Sequence, residues 1–259
     1  MIVPRFLMDN AEELILPRLP ENLESLHKEE ERLRTESLVA INADAELKEH
    51  LRMVEVSLDT IHAFTILHEN RTKDELTIQQ IGIRLFNAGT SALSLLLAGY
   101  YQNSVTLQRD LLETGFLIDY LAIDRAKIQE WRESNDKELQ KKFAPIKIRE
   151  ALDAHDKATG KKRGEIYKQM SIYAAHPTPK GLLLLCPKGP AEIGPFFHEK
   201  FLRNLLRELV KNLVFFALAY TGHFSDVSIM LLGGKAAFLD DLNAWGKRYL
   251  GLDPPKRAL

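Results

Sequence analysis

Arg109 and Glu113 stand four residues apart in Leu107-Gln-Arg-Asp-Leu-Leu-Glu113, on the helical face that continues into Phe116 and Tyr120. A guanidinium and a carboxylate on an aromatic stripe are expected to be partly removed from water, and a buried charge needs a partner. They either pair with each other or point into a cleft. As an exposed helix-surface pair they would contribute only about 0.2–0.5 kcal/mol, a purely structural role. A second constellation is Tyr167-Lys-Gln-Met-Ser171-Ile-Tyr-Ala-Ala-His176-Pro-Thr-Pro179. Pro177 disfavours helical backbone at His176 and fixes the direction of the imidazole, which could then act as a general base or grip a phosphate. The plainer reading has His176 and Thr178 closing the end of a helix and its turn. The expectation is one polar cluster of Arg109, Glu113, Ser171 and His176 with catalytic potential, beside an anion-attracting turn Lys161-Lys162-Arg163.

Charge is unevenly placed around a net of −1. Residues 137–168 carry ten Lys or Arg against five Asp or Glu, whereas residues 9–36 carry four against nine. Two solvated helix faces would account for this, and so would a phosphate-attracting segment over residues 141–168. The balance is too even for a generic polyanion binder.

The elements that must hold these residues read as helices. Leu47, Leu51, Val54, Leu58 and Ile61 alternate spacings of four and three, one stripe on a helix over Asp44 to Glu69. A second helix is expected from Lys73 to Ala98, ended or bent by Gly99 before another from Tyr100 to Ile123. On that last helix Leu107, Leu111 and Ile118 oppose Val105, Phe116 and Tyr120, so it should be central and buried on both sides. Asn22 is placed to cap a charged helix to about Ser37, and residues 124–157 should form one or two surface helices broken near Pro145. A short helix should follow to Ala175. Gly181-Leu-Leu-Leu-Leu-Cys186 reads as a buried strand paired with Ala191 to Ile193, with Cys186 buried in it. Two final helices are expected at 197–221 and 225–250, separated from each other and from the rest by turns.

Composition sets the class. With 45% hydrophobic and 27% charged residues the chain can bury a core, which excludes a disordered tail or fibrous repeat. The expected fold is all-α, an irregular multi-helix bundle in a single domain over residues 1–259, with residues 1–37 able to form an N-terminal arm and one small β-hairpin near residues 182–194. The N-terminus has no secretory signature, and the longest apolar run, Leu213 to Tyr220, is far short of the roughly 20 residues that cross a bilayer. With Cys186 as the only cysteine, the expected setting is a reducing cytoplasm, with no membrane contact and no disulfide.

Several chemistries lack their residues. Gly233-Gly-Lys-Ala236 departs from a phosphate loop in its spacing and lacks the hydroxyl after the lysine, so it reads as an interhelical turn. Glu55, Asp59 and His62 share a helix side without the second Glu-x-x-His helix that a di-iron bundle uses. No metal and no cofactor is expected. Neither a Gly-x-Ser-x-Gly elbow nor an activated cysteine is present for covalent catalysis.

The run Ala98-Gly-Tyr-Tyr-Gln-Asn-Ser-Val-Thr-Leu-Gln-Arg-Asp-Leu-Leu-Glu113, together with Ser171-(x)4-His176-Pro-Thr-Pro, resembles a prokaryotic all-helical family. That family shows a Gly-Tyr step, Arg-(x)3-Glu on a helix and a Ser/His-Pro pair. The resemblance covers residues 75–185 and implies a helical fold. Some of these proteins are similar to the higher eukaryote and prokaryote nucleotide-binding (HEPN) group, whose ribonucleases use an Arg, four to six residues, then His. Arg149-Glu-Ala-Leu-Asp-Ala-His155 has that spacing, with Glu150 where those enzymes prefer Asn, Asp or His. Two functional expectations follow. One is a protein-interaction or self-associating module, with a protein partner or homo-oligomer. The other is a HEPN-like, metal-independent ribonuclease or nucleotide-binding protein with nucleic acid as partner.

Overall fold

Asp44 and Thr72 start the helices around which the rest of the chain is arranged. Each has extended backbone and accepts N–H groups of the first turn, Asp44 from Glu46 and Leu47 and Thr72 from Glu75. The structure, a computed structural model, describes residues 21–157, 162–175, 177–187 and 189–252. Its helices are α1 (Glu21–Asn42), α2 (Ala45–Leu67), α3 (Lys73–Leu97), α4 (Tyr101–Ile123), α5 (Ala126–Glu133), α6 (Asp136–Lys142), α7 (Pro145–His155), α8 (Lys162–Met170), α9 (Glu199–Gly222) and α10 (Ile229–Leu250). A π-helical turn, Ser171–Ala175, continues α8, and a 3-10 turn spans Gly181–Leu185.

Helices α2, α3, α4 and α9 pack together as the central bundle. Leu47, Val54, Leu58 and Ile61 of α2 are buried and Leu51 is half-buried, which is the stripe the spacing predicts. Helix α4 is buried on both sides, through Leu111 and Ile118 on one and Val105 and Phe116 on the other. Two glycines let α9 approach closely: a Cβ on Gly82 would fall 2.3 Å from the Tyr220 ring, and one on Gly115 would fall 2.2 Å from the Phe216 ring. Gly99, at φ +87°, turns α3 into α4 and packs on the backbone of Phe196. Outside this core, α7, α8 and the π turn cover α4, α5 rests on α3, and α10 lies along α2. The first twelve residues of α1, Glu21–Arg32, bury no side chain, and Glu30 among them accepts from the Tyr100 hydroxyl at 2.8 Å. No helix among the described residues is long and apolar enough to cross a membrane.

Several expectations are corrected. The β-hairpin near residues 182–194 is absent: Gly181–Leu185 winds into a 3-10 turn, and no strand occurs among the described residues. The Thr178 hydroxyl accepts the Gly181 N–H at 2.9 Å and starts that turn, and Leu182 and Leu183 face solvent. One backbone bond, Glu192 N–H to Leu185 O, joins the two runs, too few for a ladder. Cys186 is accordingly half-buried instead of enclosed. The charged segment 124–157 forms three helices, because Asn135 and Glu138 make a reciprocal capping box that starts α6 and Pro145 occupies the first position of α7. Gly233-Gly-Lys-Ala236 lies within α10, since Ser228 caps that helix upstream of it. Finally, α1 runs past Ser37 to Asn42 because Ile41 still finds the core.

Candidate functional site

One turn of α4 separates Arg109 from Glu113, and both face the junction of α8 with the π turn. Arg109 Nη2 lies 2.8 Å from Glu113 Oε1, with each side chain about three-quarters buried. Arg109 Nε donates to Ser171 Oγ at 3.0 Å, and its Nη2 donates to the Tyr167 hydroxyl. That hydroxyl in turn donates to Glu113 Oε1 at 2.7 Å. Tyr167 and Ser171 are four residues apart, so α8 and the turn after it present both to one arginine. Arg109, Tyr167 and Glu113 close a ring of charge-assisted bonds, and Ser171 is tied to it through Arg109.

A second arginine reaches the same tyrosine. The Arg149 guanidinium, from α7, stands 3.8 Å from the centroid of the Tyr167 ring, while Arg109 lies 4.8 Å from it. Such contacts are worth about 0.5–2 kcal/mol, rising as water is excluded. Arg149 has no carboxylate partner among the described residues, and its Nη1 is buried without an acceptor. Its acidic neighbours are engaged elsewhere: Glu150 meets Lys147 at 3.4 Å and Asp153 meets Arg163 at 2.8 Å.

Glu113 and Arg149 both line a cavity of about 270 Å³. Its walls are the apolar residues Ile81, Phe116, Leu117, Trp131, Phe143 and Ile148, and its far edge carries Arg84 and Asp110, paired at 2.5 Å. Of the three arginines at or beside this cleft, Arg84 and Arg109 are balanced by Asp110 and Glu113. Arg149 is the one with no acidic partner among the described residues. The arrangement can take up a small anion carrying an apolar or aromatic body.

Arg109, Glu113 and Ser171 therefore meet as one network. His176 and Lys161, and the side chain of Lys162, lie outside the described residues. Arg163 stands apart from the network, held by Asp153, by Asp156 and, at 3.8 Å, by Asp119. His155 is exposed at the end of α7, six residues from Arg149 and so about 120° around the helix from it. Tyr167 opens the Tyr167–Pro179 constellation and Arg149 the Arg149–His155 spacing, but neither is in the expected cluster of Arg109, Glu113, Ser171 and His176. For Tyr167 a signal exists in its four-residue spacing from Ser171, whereas nothing local connects Arg149 to α4.

Among the described residues no group of three or more His, Cys, Asp or Glu side chains could hold a metal ion. On α2, the His62 ring instead packs on Phe86 at 5.6 Å. Comparison with known protein families, curated proteins and solved structures finds no match.

Proposed function

We propose that this protein is a helical binding protein that seats a small anion of the nucleotide or phosphate-ester class in the cleft between α3, α4, α5 and α7. One observation carries the reading: Arg149 is stacked on Tyr167 and lines the cleft with no acidic partner among the described residues. A partly buried guanidinium without a counter-charge is costly, and an anion offsets that cost. Phe116, Trp131 and Phe143 supply flat apolar surface for a base, with stacking worth about 1–3 kcal/mol per base. In this reading Arg149 holds the anion and Tyr167 is the platform beneath it. Arg109, Glu113 and Ser171 are positioning residues that fix Tyr167.

The test is calorimetric titration at low salt with inorganic phosphate, AMP and a short RNA, on the wild type and on Arg149→Ala. AMP binding that weakens roughly 10- to 100-fold in the variant is the expected result, the size of a lost charged hydrogen bond. Equal binding by both proteins, or none by the wild type, would remove the reading. RNA preferred over AMP would favour the ribonuclease-like alternative. An interaction role is supported separately by the exposed apolar row Ile229, Met230 and Leu232 at the start of α10.

A further inference from the structure

Gln108, on α4, is fully buried, yet only one half of its amide is bonded. Its Nε2 donates to Ser104 Oγ at 3.4 Å and to Leu205 O, on α9, at 3.3 Å, whereas Oε1 has no partner among the described residues. Turning the amide over offers no remedy. Ser104 Oγ already donates its proton to Ala92 O at 2.8 Å and Leu205 O can only accept, so an amide oxygen in place of Nε2 would face two acceptors. Buried side-chain acceptors are almost always bonded, so this one calls for a donor. Gln108 lies in the wall of a cavity of about 410 Å³, at a place where α8, α9, the π turn and the 3-10 turn all pack on α4. That volume is within the range of small-molecule sites. The cavity is mostly apolar, walled by Val105, Met170, Tyr173, Leu184, Phe201 and Leu205, and Gln169 and Asn204 line it from exposed positions. Glu208 is the one charged residue among those that line it, and Lys211 pairs with it at 2.8 Å.

We propose that this cavity is a second binding site, separate from the cleft at Arg149, which takes a neutral aromatic molecule with one N–H or O–H donor set against Gln108 Oε1. The walls select the body of the ligand and the amide selects its donor. Tyr173 and Phe201 offer ring surface to an aromatic group, and apolar walls favour a body that leaves water with it. An anion finds no cation there to receive it, and a cation would meet a carboxylate that is already paired, so the charge on the walls favours neither. An ordered water is a poorer occupant, because it needs two to four polar partners and the apolar walls supply few beside Gln108.

The probes are indole and benzofuran, which share one bicyclic shape but differ in that benzofuran has an oxygen in place of the N–H. NMR titration of the isotope-labelled full chain measures both affinities and locates the site. The expected result is indole binding with Kd on the order of 0.1 mM, a fair affinity for about nine non-hydrogen atoms, with shifts centred on Gln108, Tyr173 and Leu184. Benzofuran should bind about tenfold more weakly, the size of one lost hydrogen bond. Gln108→Met keeps the length of the side chain and removes the acceptor, so it should weaken indole about tenfold and leave benzofuran unchanged. Equal affinities for the two probes on the wild type would overturn the proposal, and that comparison decides it alone if Gln108→Met does not fold. Shifts centred elsewhere, or no indole binding up to about ten times the expected Kd, would overturn it as well.

Discussion

The Tyr167 hydroxyl donates to Glu113 at 2.7 Å while its ring lies under the Arg149 guanidinium at 3.8 Å, so one side chain joins α8 to both α4 and α7. Tyr167→Phe keeps the ring and removes the hydroxyl, leaving Glu113 with Arg109 alone. The expected loss is about 1–2 kcal/mol in urea unfolding, the range for a half-buried bond to a charged group. Arg109→Ala should cost more, about 2–3 kcal/mol, because it removes the counter-charge of Glu113 and the donor to Ser171, leaving Glu113 with the Tyr167 hydroxyl. Equal stability of Tyr167→Phe and wild type would show that the hydroxyl bridge contributes nothing.

Acid should unfold the protein from a higher pH than its carboxylates alone would dictate. Trp245 Nε1 donates to His50 Nδ1 at 3.1 Å, so His50 is the Nε2–H tautomer and donates to Glu46 at 3.2 Å. His223 makes a 2.9 Å bond from Nε2 to Ile118 O. Burial holds both imidazoles below their ordinary value of 6.5, in His50 against the opposing pull of Glu46. A depressed folded pKa means that the unfolded chain takes up the proton first. Stability from these two groups is therefore complete above about 6.5 and is lost as pH falls below it, by up to about 1.4 kcal/mol per pH unit for each histidine. Unfolding free energy that stays flat from pH 7.5 to 5.5 would contradict this.

Leu111 is fully buried on α4, the helix that carries Arg109 and Glu113. Leu111→Asp places an unpaired carboxylate in the core and should cost several kcal/mol, enough to unfold a typical domain of marginal stability. Gly115→Ala tests the same packing more gently, since its Cβ would collide with the Phe216 ring and push α9 away. A wild-type melting temperature for Leu111→Asp would refute the central position of α4.

The central bundle is legible in the sequence because its signals are local. The three-four spacing on α2 and the glycine between α3 and α4 each determine backbone and burial within one or two turns. The four leucines at 182–185 have no periodicity, so their backbone is decided by the Thr178 hydroxyl and not by their own pattern. The break before α6 has a readable cue, Asn135 with Glu138 three residues on, which a charged segment conceals. At the site, Arg109 with Glu113 and the spacing of Tyr167 with Ser171 lie within single helical turns. The place of Arg149 depends on how α7 packs against α4 and α8, which no local spacing records.

The most direct measurement is a crystal structure of the protein grown with AMP at low ionic strength. A phosphate oxygen within about 3 Å of the Arg149 guanidinium, with the base among Phe116, Trp131 and Phe143, is the predicted result. AMP bound elsewhere, or an empty cleft with Arg149 closed onto a carboxylate of its own chain, would contradict it.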